Sequence, residues 1–157
     1  YVIYNAPVAS ALLYARAGWF HAPLDVASMQ RAAEYLIGRH DFSSFRAAEC
    51  QARSPVKELE RLTVERRGNI VLLDFEADAF LHHMVRNIVG ALVYVGAGRR
   101  PAEWLSTLLC QKDRTVAAPT FDAAGLYLTG VDYPPAFALP TTANSGIFDA
   151  LIAARAY

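Results

Sequence analysis

A chain of 157 residues, 54% of them hydrophobic, is long enough to bury one core and too short to make two ordinary domains the expectation. Its 15 Lys and Arg balance 15 Asp and Glu, so no overall field announces a nucleic-acid partner, although a local basic surface is compatible with a neutral chain. Cys50 and Cys110 have neither CxxC spacing nor further cysteines, which argues against a metal framework or disulfide scaffold and for two free thiols in a reducing compartment such as the cytoplasm. No apolar stretch has the length of a membrane span, and no basic segment followed by an apolar signal core opens the chain.

Tyr1-Val2-Ile3-Tyr4 is a β-branched and aromatic run that reads as a strand already under way, as if cut from a longer protein. Pro23 and Asp25 set up a helix start, and the stripe Leu24, Val26, Met29, Ala32, Ala33, Leu36, Ile37 predicts a helix over 25–38 that Gly38 closes. Asp41 to Arg46 is a capped turn anchored by Phe42 and Phe45. Two alternating runs within 58–77, separated by Gly68-Asn69, predict a hairpin.

From Ala79 to Val95 the apolar residues Leu81, Met84, Val85, Ile88, Leu92 and Val95 recur at helical steps, with Arg86 set among them. Gly90, one turn beyond Arg86, leaves room for something outside the helix to approach. A second stripe, Trp104, Leu105, Leu108 and Leu109, predicts a helix from Pro101 to about Lys112. Gly125 to Val131 has strand composition, stopped by Pro134-Pro135. The segment 136–157 reads as a weakly ordered tail or, over Phe148 to Ala154, a terminal helix. This order of elements predicts a single α+β domain, a mainly antiparallel sheet with helices packed on one face.

Fold class names no function, so the chemistry must come from residues. His82 and His83, with Asp74 or Glu76 as a third ligand, suggest a metal, but adjacent helical residues point roughly 100° apart, and zinc histidines on helices sit four apart. The expectation is therefore no metal. No Gly-x-Ser-x-Gly elbow, P-loop or dinucleotide glycine fingerprint occurs, which leaves a self-contained hydrolase without its parts. Arg46, Arg53 and Lys57 near the hairpin, and Arg114 among other basic residues at element ends, are candidates for RNA phosphates, against the plainer reading of solvated charge. Arg86 is either one side of a structural salt bridge or an arginine aimed at a catalytic carboxylate or a phosphate.

Several motifs in order resemble one family. Tyr1-Val2-Ile3-Tyr4-Asn5, Asp41 to Arg46, Cys50 to Pro55, Phe80 to Gly90, Lys112-Asp113-Arg114, Gly125 to Leu128 and Val131 to Pro134 are similar to the carboxy-terminal half of bacterial tRNA pseudouridine synthases of the A (TruA) type. The resemblance implies a half of RNA-recognition-like or ferredoxin-like fold. It also implies isomerisation of uridine to pseudouridine in the anticodon stem-loop (positions 38 to 40) of tRNAs, with no cofactor. The implied partners are tRNA, the amino-terminal half of the same protein, and a second copy in a homodimer. The family nucleophile, an aspartate in a Gly-Arg-Thr-Asp motif, has no counterpart here, and Asp113 in Lys112-Asp113-Arg114-Thr115 belongs to a different segment. Arg86 matches the arginine that pairs with that aspartate, and Leu126 matches the apolar residue that packs on the target base. A non-catalytic RNA-binding or dimerisation domain is the alternative.

Overall fold

The computed structural model describes residues 1–137, in a unit Tyr1–Leu126 and the start of a second from Tyr127. The terminal helix expected at Phe148 to Ala154 lies outside the described residues.

The first unit carries β1 (Val2–Asn5), β2 (Gly18–Phe20), α1 (Val26–Glu34), β3 (Gly38–Asp41), β4 (Val56–Arg67), β5 (Ile70–Ala77), α2 (Met84–Gly96) and α3 (Trp104–Gln111). The strands form one sheet in the order β2-β1-β5-β4-β3, with β1 and β2 parallel and the other pairs antiparallel. Gly68 and Asn69 join β4 to β5, and Gly68 at φ +59° supplies the positive φ that a type II′ hairpin turn needs at its first central position. The architecture is the expected α+β half-domain, a mixed sheet that is mainly antiparallel.

Strand alternation gives the sheet two unlike faces. Ile3, Leu62, Val64, Val71 and Leu73 are buried together with Met29, Ala32 and Ala33 of α1 and Met84, Ile88, Leu92 and Val95 of α2. The opposite face pairs Tyr4 with both Trp19 and Ile70, and Val2 with Leu72. None of these five is buried, and Trp19 is 44% exposed. Asp25 caps α1 by accepting from the Ala27 and Ser28 amides at 3.0 and 3.2 Å. The buried Asn5 side chain ties β1 to the start of α1, donating to Phe20 and Ala22 carbonyls and accepting from the Leu24 amide and Arg66.

Three expectations are corrected, and one strand was not foreseen. The first helix ends at Glu34 rather than 38: Gly38, at φ +101°, opens β3, whose residues Gly38 to Asp41 pair with Val56 to Leu59. β2 has no forecast at all, being a three-residue edge too short to show alternation. The long helical run begins at Met84, so His82 and His83 precede α2 instead of riding on it. Gly125 to Val131 forms no strand: β1 already has β5 on one edge and β2 on the other, and only the Val2 amide, ahead of the β2 pairing, is left to donate to Gly125 O at 2.8 Å.

Candidate functional site

Arg86 lies in the first turn of α2 and is half-buried. Its Nε donates to Phe121 O at 2.9 Å, and the Phe121 amide donates back to Arg86 O at 3.2 Å. The chain at Pro119 to Phe121 can lie this close because Gly90 has no side chain: a Cβ there would come 2.2 Å from Pro119 O. The room foreseen at Gly90 is thus filled by a later piece of the same chain. Among the described residues no carboxylate lies within ion-pair distance of Arg86, and its Nη1 and Nη2 carry no hydrogen bond. A half-buried guanidinium with both Nη groups unengaged keeps four N–H donors that can pair with an anion.

The loop that receives Nε continues over the start of β1. Tyr1 Oη donates to Asp122 O and Ala124 O at 2.6 and 2.7 Å, and the Tyr1 and Phe121 rings meet edge to face at 6.1 Å. Burial first, then Asp122, push the Tyr1 phenol above its ordinary value, and Arg86 pulls partly against them. Tyr1 is therefore a neutral donor that fixes the loop. Gly125, at φ +94°, passes so near β1 that a Cβ would come 2.3 Å from Val2 O. Leu126 follows with its amide on Ala123 O at 3.3 Å and its side chain 44% exposed. An apolar side chain held out by a tight turn can pack against a flat ligand; its loop also carries the Nε acceptor of Arg86.

Asn87, the next residue of α2, ties the helix to Phe45 and to the 114–120 turn. It is 1% exposed, donates from Nδ2 to Phe45 O at 2.8 Å, and accepts at Oδ1 from Thr120 Oγ1 at 2.6 Å and Arg114 Nη2 at 3.1 Å. Sequence reasoning passed over it, although an amide inside an apolar run was the available signal. Arg114 also donates to Ala118 O and Thr120 Oγ1, so its guanidinium holds the 114–120 turn in place, and burial pulls its pKa down.

Of the other candidates, Arg46 donates from Nη2 to Cys50 O and Ala52 O at 2.5 and 3.0 Å. Arg53 is exposed and Lys57 half-buried, each without a side-chain bond among the described residues. Asp74 and Glu76, the ligands considered beside the histidines, both pair with Arg61, at 2.7 and 3.0 Å. Asp113 caps the turn at Arg114, accepting from the Thr115 amide and hydroxyl, which hold its carboxyl below the ordinary value. Arg114 and Leu126 thus lie on the loop that receives Arg86 Nε, and no hydrogen bond among the described residues ties the Arg53 or Lys57 side chain to that loop.

The sequence profile of the tRNA pseudouridine synthases matches residues 32–134. The chain belongs to that family. It is 64% identical over 144 residues to tRNA pseudouridine synthase A of Thiobacillus denitrificans, a match covering 92% of this chain and 55% of that protein. The protein of the same name from Aromatoleum aromaticum is 59% identical over 140 residues (89% and 53%), and that of Paraburkholderia xenovorans 53% over 147 (94% and 54%). The chain spans about half the length of the curated relatives it matches.

Proposed function

We propose that this chain is the carboxy-terminal half of a cytoplasmic, homodimeric tRNA pseudouridine synthase that isomerises uridine on the anticodon arm without a cofactor. The observation that carries the reading is Arg86, anchored through Nε while its outer nitrogens stay open to an anion. In this reading the amino-terminal half supplies the nucleophilic aspartate, and the Arg86 fork pairs with it. That pairing favours the ionised carboxylate and fixes its direction.

Cutting a glycosidic bond and rejoining the base through carbon requires the uridine to leave the stack and enter a pocket with apolar walls. Leu126 is one such wall, presented by the turn at Gly125. Arg53 and Lys57 offer free cationic side chains to phosphates, whereas Arg46 and Arg114, whose donors are engaged within the chain, contribute positive potential.

The test is to incubate the full-length protein with unmodified tRNA and map pseudouridine chemically. Pseudouridine confined to the anticodon arm is the expected result. Absence of any product with enzyme in excess over correctly folded tRNA overturns the proposal.

A further inference from the structure

Among the described residues one group of three metal-ligating side chains comes together, Glu49, His82 and His83, whose ligand atoms all lie within 4.8 Å of one another. The objection that neighbouring helical residues diverge does not apply, because both histidines precede α2 and His83 takes the left-handed φ of +60°. With that kink the two imidazoles face each other, their centroids 4.0 Å apart and their planes inclined by 32°.

The third group is delivered by a turn fastened to the same spot. The Ala47 amide donates to His82 O at 3.1 Å, the His82 amide donates to Cys50 Sγ at 3.4 Å, and Arg46 closes the turn on Cys50 O. Glu49 Oε1 consequently stands 3.7 Å from His82 Nδ1.

We propose that Glu49, His82 and His83 form a binding site for a zinc-class divalent cation, distinct from the Arg86 site. Two imidazole nitrogens and one carboxylate oxygen suit zinc, while calcium and magnesium call for oxygen donors throughout. Zinc bonds of about 2.0–2.1 Å place tetrahedral donors about 3.3 Å apart, so the side chains need to close by up to about 1.5 Å. The His82 and Glu49 side chains, 51% and 65% exposed, are free to make that movement. Three protein ligands leave a position for water. The bound ion clamps the 46–52 turn to the start of α2, three residues from Arg86.

The test is calorimetric titration of the metal-free full-length protein with Zn²⁺, beside the visible absorption of its Co²⁺ form. The variants are Glu49→Gln, His82→Asn, His83→Asn and all three combined. Asparagine at 83 tolerates the left-handed backbone, and the other two sites are exposed, so each variant keeps its fold as judged by metal-free thermal unfolding. One Zn²⁺ per chain, an affinity lowered about tenfold or more by each single change, and loss of the Co²⁺ bands in the triple variant are expected. Equal Zn²⁺ binding by wild type and triple variant, or no binding by wild type, overturns the proposal. Neither readout involves tRNA, so the result stands apart from the synthase reading.

Discussion

Arg86 binds Phe121 O with Nε and leaves both Nη groups without a hydrogen bond among the described residues, so its replacement removes one structural bond and, in the proposed enzyme, the fork that meets the carboxylate. In the full-length enzyme Arg86→Leu is expected to lower the single-turnover rate by at least about 100-fold while tRNA affinity changes little, since many phosphate contacts remain. Arg86→Lys restores only part, because one ammonium cannot hold the carbonyl and present a fork to a carboxylate. Collapsed affinity with normal chemistry at saturating enzyme would instead make Arg86 an RNA contact. Asn87 poses a different case, since its buried amide joins Phe45, Thr120 and Arg114. Asn87→Ala strips partners from buried polar groups, and a loss of about 2–3 kcal/mol in urea unfolding is expected. A double-mutant cycle with Arg114→Ala should show coupling of at least about 0.5 kcal/mol, because the two side chains touch.

Two glycines of α2 separate what a helix tolerates from what its neighbours tolerate. At Gly90 an added Cβ meets the Pro119 backbone at 2.2 Å, whereas at Gly96 it meets the Met29 side chain at 2.7 Å. Alanine in a helix gains about 1 kcal/mol over glycine, and methionine can re-pack, so Gly96→Ala is expected to be near neutral. Gly90→Ala displaces the segment that holds Arg86 and is expected to destabilise by about 2 kcal/mol or more and to depress pseudouridine formation. Denaturant unfolding of the two variants decides the ranking. At the start of α1, the Ser28 hydroxyl, followed by the Ser28 and Ala27 amides, holds the Asp25 carboxyl below its ordinary 3.8. A depressed carboxylate contributes stability that is present above the unfolded value and lost as pH falls through the folded one. Asp25→Asn, which keeps a capping oxygen, should therefore flatten the fall in melting temperature between about pH 5 and pH 2.

The open face of the sheet presents Val2, Tyr4, Trp19, Ile70 and Leu72 in register across β2, β1 and β5. An apolar strip of this kind promotes association, and in the proposed enzyme the amino-terminal half is the partner that covers apolar surface left by the isolated chain. The chain alone is expected to make no pseudouridine, because no residue in it matches the nucleophile. Supplying the amino-terminal half as a separate polypeptide should restore some product. Sedimentation of the chain as a strict monomer at high concentration, together with no binding to the other half, would count against this picture; turnover by the homogeneous chain would sink the assignment of the missing aspartate.

Periodicity and turn chemistry determined, without any tertiary information, the hairpin at Gly68-Asn69, the capped start of α1, the stripes of α2 and α3 and the oddity of Arg86, because each is written in neighbouring residues. The short edges β2 and β3 were not legible, since three or four residues carry no period and their pairing comes from distant strands. Leu126 was legible only through the family resemblance, and its place in a loop was not, because the edges of β1 next to it are taken by β2 and β5. Tertiary structure alone set the bond from Arg114 to Asn87. It also turned His82 and His83 to face each other beside Glu49, through one left-handed residue and a backbone bond from Ala47 that no local pattern encodes.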